Sequence, residues 1–138
     1  LILFMATQIN KKNLRQEILK RRQVLSADDI AHASQKIAAH FCRSSFFIDY
    51  QKFASYLPIK GEADPHPIMQ ALWQQQKQCY LPLLHPEQSN QLVFQRYLPQ
   101  EALHLNKLQI PEPSFAPHKI ISPNEIEIVI TPLVCQGF

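Results

Sequence analysis

Apolar positions recur at helical spacing early in the chain and at strand spacing later. Leu14, Ile18 and Leu19 form a narrow stripe in a polar background, which predicts a helix over residues 9–24. Ser26-Ala27-Asp28-Asp29 has the form of a capping box with Asp in place of Glu. Ile30, Ala33, Ile37, Ala38 and Phe41 then share one face, predicting an amphipathic helix over 27–43. Phe53-Ala54-Ser55-Tyr56-Leu57 reads as a short strand closed by Pro58, followed by a loop through Pro65. A third helix follows from His66 or Pro67 to Gln76, with Ile68, Met69, Leu72 and Trp73 inward. Strands are predicted over 78–82, 92–97 and 125–131, the last alternating clearly before Pro132. Residues 106–123 carry Pro111, Pro113, Pro117 and Pro123 and read as an irregular surface loop against the sheet. Strands separated by helices predict an α/β fold with a mainly parallel sheet.

Composition narrows the function classes. The chain has 138 residues, 46% apolar and 18% charged, which fits a soluble domain with a real core. A net charge of +3 is too small to argue for nucleic acid. No segment reaches the roughly 20 apolar residues of a membrane helix. The positive charge is uneven: Lys11, Lys12, Arg15, Lys20, Arg21 and Arg22 stand against Glu17 alone. That run reads either as a solvated helix face or as an anion-binding helix start. Cys42, Cys79 and Cys135 have no metal-type or CxxC spacing, and an odd count fits a reducing cytoplasm. Cys79 and Cys135 lie in apolar runs and read as buried small hydrophobes, not nucleophiles. The six histidines show neither HxxH nor HExxH spacing, and no GxSxG is present. Only Gly61 and Gly137 are glycines, so no glycine-rich phosphate loop lies in these residues.

Ligands of open α/β sheets gather beyond the carboxyl ends of strands. Three places qualify here. The loop after Leu57 holds Gly61 and the carboxylates Glu62 and Asp64, which read as ligand groups or as the acids of a helix start. Ile110-Pro111-Glu112-Pro113 fixes Glu112 between two prolines. Thr131-Pro132-Leu133-Val134 ends the last strand.

An ordered series of short motifs links these places. Lys11-x-x-Leu14-Arg15 precedes Arg22-x-x-Leu25-Ser26 and Ser34-x-x-Ile37. Tyr56-Leu57-Pro58 leads to Gly61-Glu62-Ala63-Asp64, and Tyr80-Leu81-Pro82, Ile110-Pro111-Glu112-Pro113 and Thr131-Pro132-Leu133-Val134 follow. Over roughly residues 10–135 this series resembles the 5-formyltetrahydrofolate cyclo-ligase, or methenyltetrahydrofolate synthetase, family. The resemblance implies a three-layer α/β/α sandwich and an ATP- and Mg²⁺-dependent conversion of 5-formyltetrahydrofolate to 5,10-methenyltetrahydrofolate. It implies ATP contacts at Lys11, Lys12, Asn13, Leu14 and Arg15, and folate contacts at Leu57 and Glu62. It names no catalytic residue and places the Mg²⁺ ligand in a later glycine-rich segment. Partners are then small molecules, ATP and a reduced folate, with no nucleic acid or membrane, in a cytoplasmic monomer. Residues 1–9 are expected to lie outside the fold as a leader, Met5 being the natural start. Residues 10–138 are expected to form one domain lacking its C-terminal part. Gln136-Gly137-Phe138 departs from the family pattern, and because the glycine-rich phosphate loop is absent from these residues the chain is expected not to turn over. The alternatives are a folate- or nucleotide-binding fragment and a degenerate gene product.

Overall fold

The computed structural model describes residues 11–59, 61–88 and 91–133, excepting the side chain of Lys11. The expected leader and Cys135 to Phe138 lie outside the described residues. Helix α1 spans Lys11–Gln23. Its stripe of Leu14, Ile18 and Leu19 is half-buried, and Lys20, Arg21 and Arg22 fill its last turn. Cations there meet the exposed carbonyl end of the helix dipole. Half of the basic run therefore sits at the end of α1 and not at its start.

Helix α2 spans Ala27–Phe41 and begins with the capping box read from the sequence. The Ser26 hydroxyl accepts from the Asp29 N–H at 3.1 Å, and the Ser26 N–H donates to the Asp29 carboxylate at 3.1 Å. Such a cap contributes about 1 kcal/mol. The buried line of α2 differs from the expected one. Ser34 and Ala38 are buried, whereas Ala33 is exposed and Ile37 is half exposed. A serine fits inside because both of its capacities are used: its hydroxyl donates to the Ile30 carbonyl at 2.7 Å and accepts from the Asp64 N–H at 2.8 Å.

A five-residue helix, α3 (Ser45–Asp49), was not expected; it is capped by Ser44 and buries Phe47. Strand β1 (Lys52–Ala54) follows, then α4 (His66–Gln74), which buries Ile68, Met69 and Leu72. Strand β2 is Gln78–Leu84 and β3 is Leu92–Arg96. The proline-rich stretch is not one irregular loop. It supplies β5 (Pro111–Pro113), paired with β4 (Leu103–Leu105), and then β6 (Ile120–Ile121). The last strand, β7, is only Ile128–Val129 of the expected 125–131; Glu125 belongs instead to a turn, Pro123–Glu125.

The main sheet runs β6-β3-β2-β1-β7. Its centre is parallel, β1 pairing in the same direction with β2 and β7, and β3 joins antiparallel to β2 and β6. The α/β class and the parallel centre agree with the sequence expectation. Phe53, Cys79, Leu81, Leu83 and Val93 face α4, α2 and α3 in one core cluster. On the other face, Leu84, Leu92 and Val129 are exposed. Lys77 is buried, yet its ammonium donates to the Tyr50 and Ile48 carbonyls at 2.7 and 3.2 Å and lies 5.4 Å from the Phe47 ring centre. Gln95 is also fully buried; its amide donates to the Ser114 carbonyl at 2.8 Å and accepts from the Ala116 N–H at 2.7 Å, tying the chain after β5 to β3.

A carboxylate closes the edge between β1 and β7. Glu127 Oε2 accepts from the N–H of Gln51 and of Lys52, each at 2.7 Å. These bonds, Gln51 first, hold the carboxyl below its ordinary value of 4.5. A depressed folded value stabilises the fold above pH 4.5, and the contribution disappears as pH falls through the folded value. Glu127→Gln is thus expected to flatten the acid limb of a circular-dichroism pH titration below that pH. An unchanged acid limb would mean that Glu127 contributes nothing to acid stability.

Candidate functional site

The three places read from the sequence converge. A cavity of about 370 Å³ opens beyond the carboxyl ends of β1 and β7. Tyr56, Leu57, Ile59 and Glu62 form one wall, and Pro82, Leu84 and Leu92 of β2 and β3 form its floor. The β4–β5 hairpin supplies the opposite wall through Asn106, Leu108 and the run Ile110 to Pro113, and Pro132 after β7 closes one side. The lining is mostly apolar with two carboxylates, Glu62 and Glu112, the composition of a site that takes a flat organic ligand by packing and a few polar contacts.

Each carboxylate is fixed. Glu62 Oε2 accepts from the Ile59 N–H at 3.1 Å, and Oε1 lies 3.7 Å from the Arg22 guanidinium at the end of α1. Glu112 Oε2 accepts from the Asn106 side-chain amide at 2.9 Å, and Oε1 lies 3.8 Å from His104 Nε2. Asn106 also shapes the hairpin, its Oδ1 accepting from the N–H groups of Leu108 and Ile110 at 2.8 and 3.1 Å. The turn before Glu62 depends on Gly61, which takes φ +74°. A Cβ there would lie 3.3 Å from the Arg22 carbonyl oxygen, so only glycine lets the loop meet α1 this closely.

The two acids of the loop are held differently. Asp64 Oδ1 accepts from the His66 N–H at 2.9 Å at the start of α4, the role of an acid at a helix start. Glu62 lines the first cavity and, together with Asp64, Tyr56 and Pro132, a second of about 240 Å³. The Tyr56 hydroxyl donates to the Ala63 carbonyl at 2.6 Å. Its acidity is weakened first by burial and then by the charges of Glu62 and Asp64, with Arg22 opposing.

Leu57 and Glu62 thus lie together, as the sequence grouped them. The helix-start segment does not join them: Lys12, Asn13 and Arg15 are exposed on α1, Leu14 is half-buried, and none lines the Glu62 cavity. Lys11 begins α1, and its side chain lies outside the described residues. Sequence reasoning missed Asn106 and the pairing of Arg22 with Glu62. The only hint of the latter was Gly61, which marks a close backbone approach without naming what approaches. Cys79 is buried and its thiol is pushed up to about 12 by that burial, so it stays an inert thiol, as read.

The profile of the 5-formyltetrahydrofolate cyclo-ligase family matches residues 7–136. The 5-formyltetrahydrofolate cyclo-ligase of Haemophilus influenzae is 35% identical over 124 residues, covering 90% of this chain and 66% of that protein. Its counterpart in Escherichia coli is 32% identical over 117 residues, covering 85% of this chain and 64% of that protein. The chain therefore spans just under two thirds of the length of these curated relatives. Two solved structures share the fold. A 5,10-methenyltetrahydrofolate synthetase from Aquifex aeolicus superposes with a TM-score of 0.70 at 24% identity, over 86% of this chain and 58% of that one. Another, from Mycoplasma pneumoniae, does so with a TM-score of 0.62 at 21% identity, over 91% and 65%. The profile match runs through every wall of the Glu62 cavity and through β1 and β7, which lead into it, and the chain belongs to the 5-formyltetrahydrofolate cyclo-ligase family.

Proposed function

We propose that the Glu62 cavity binds the pterin end of a reduced folate. In this reading the chain serves the ATP-dependent conversion of 5-formyltetrahydrofolate to 5,10-methenyltetrahydrofolate. The observation that carries it is the meeting of Leu57 and Glu62, with Pro82 and Ile110, in one apolar cavity at the carboxyl end of β1. Apolar side chains pack on the faces of a flat ring. A carboxylate at its edge accepts hydrogen bonds from an amino group and a ring N–H. In the proposed reaction the formyl oxygen takes the γ-phosphoryl group of ATP, the bond to the β-phosphate breaks and ADP leaves. The neighbouring folate nitrogen attacks the activated carbon, and phosphate leaves with the former formyl oxygen. The protein's part in such a transfer is positioning and charge stabilisation.

The ATP side begins, in this reading, with Lys11, Lys12, Asn13, Leu14 and Arg15, supported by family membership and by the exposed positive charge of Lys12 and Arg15. Among the described residues no cluster of three or more His, Cys, Asp or Glu side chains is placed to hold a metal ion, and no step is assigned to a Mg²⁺ held by them. No helix among the described residues is long and apolar enough to cross a membrane. The reading is of a cytoplasmic monomer acting on small molecules.

A polypeptide of these 138 residues is expected to bind the folate in this cavity. Isothermal titration with 5-formyltetrahydrofolate tests it, with saturable one-to-one binding as the expected result. An absence of folate binding would overturn the proposed site.

A further inference from the structure

We infer that Arg22 is a positioning residue for Glu62, holding its carboxylate aimed at the cavity. This deepens the folate reading of the site and rests on it. Two arginines stand side by side at the end of α1 and meet different fates. Arg21 pairs with Glu17 on the helix surface, where both side chains are more than half exposed. Arg22 turns the other way, and it and Glu62 are 13% and 16% exposed. Surface pairs of the first kind contribute little. A pair shielded as the second is interacts more strongly and leaves a costly lone charge when one partner is removed.

The geometry makes Arg22 a clamp on the loop as well as on the charge. Its Nε donates to the Gly61 carbonyl at 3.3 Å, while its terminal nitrogen faces Glu62 Oε1 at 3.7 Å. The guanidinium fork therefore grips two consecutive residues. Glu62 Oε2 is held from the other side by the Ile59 N–H. A carboxylate offers roughly four lone-pair sites, so two partners leave capacity for a ligand edge. Among the described residues, the other charged and titratable groups coupled to this loop are Asp64 and the Tyr56 hydroxyl, neither of which supplies positive charge; Lys60 lies outside the described residues. When a flat ligand expels water from an apolar cavity, a shielded charge left without its partner is costly. Arg22 supplies the compensation from outside the ligand's footprint, since it does not line the cavity.

The test is a double-mutant cycle read by titration of 5-formyltetrahydrofolate into the purified chain, with thermal melting to show that each variant folds. Arg22→Met is expected to weaken binding about tenfold. The same substitution on a Glu62→Gln background is expected to change it less than about twofold. Arg22→Lys, which keeps the charge and loses the fork, is expected to recover most of the loss. The Ile59 amide resonance in apo protein gives a ligand-free readout, and Arg22→Met should move it towards its position in Glu62→Gln. Wild-type affinity in Arg22→Met, or equal losses on both backgrounds, would overturn the inference. Should the wild-type chain fail to bind the folate, that reading falls, and an unmoved Ile59 resonance would overturn the positioning role separately.

Discussion

Glu62→Ala is expected to lower the affinity for 5-formyltetrahydrofolate by about 100-fold. Two hydrogen bonds from ligand donors to a mostly buried carboxylate contribute about 1.5 kcal/mol or more each, and every 1.4 kcal/mol is about tenfold. The alanine removes both acceptors. It also leaves the Arg22 guanidinium without its anion beside the cavity, which adds to the loss. Glu62→Gln should lose less, because one acceptor remains while an amide NH₂ confronts the ligand's own donors. Isothermal titration of the three proteins checks the order. The side chain makes no core contact of its own, so Glu62→Ala should still melt cooperatively. An affinity within a few-fold of wild type would remove Glu62 from the ligand site.

Phe53→Ala is expected to destabilise the domain by about 3–5 kcal/mol, a large share of the roughly 5–15 kcal/mol that holds a domain together. Phe53 is fully buried in β1, which pairs in parallel with β2 and β7. Its ring meets Phe41 of α2 edge to face at 6.1 Å and 88°, and lies 6.4 Å from the Phe47 ring of α3. The Lys77 ammonium sits 6.0 Å from its centre. The substitution therefore opens a cavity where two helices, a strand and a buried cation meet, with little freedom to collapse. Urea denaturation followed by circular dichroism measures the change. A loss below about 1 kcal/mol would show that the aromatic cluster repacks around the gap.

Both predictions depend on features of unequal legibility. Phe53 could be placed in a strand because it opens an apolar run closed by Pro58, and α1, α2, α4, β2 and β3 followed from periodicity to within a few residues. The five-residue α3 is too short to repeat a helical period, and its only signal was Ser44, whose hydroxyl accepts from the Phe47 N–H. The β4–β5 hairpin hid for the opposite reason. All three residues of β4 are exposed, so nothing alternates, and Pro111 and Pro113 argue against a strand except at an edge, where β5 lies. The alternation of 125–131 overstated β7, because Glu125 closes a local turn on Ser122, although the Glu127 and Ile130 N–H groups still bond the Lys52 and Ala54 carbonyls beside β7. Leu57, Glu62 and Glu112 were each legible through strand ends and fixed loops. Their meeting in one cavity was not, since it follows from how the hairpin folds over β2. The Arg22 contact was invisible because charge along one helix carries no information about a loop that arrives only after β1.

The sheet order sets how the cavity can open. Tyr56 and Leu57 leave β1, which is hydrogen-bonded on both sides by β2 and β7. Pulling Tyr56 and Leu57 away strains β1, which is paired on both sides, so their displacement is costly. The facing wall belongs to a separate two-stranded sheet of three-residue strands, joined to β3 through Gln95 at one end. An isolated pair of strands is marginal by itself. The two walls thus differ in the free energy of local opening: the hairpin is expected to open at lower cost than Tyr56 and Leu57, which β1 anchors in the larger sheet.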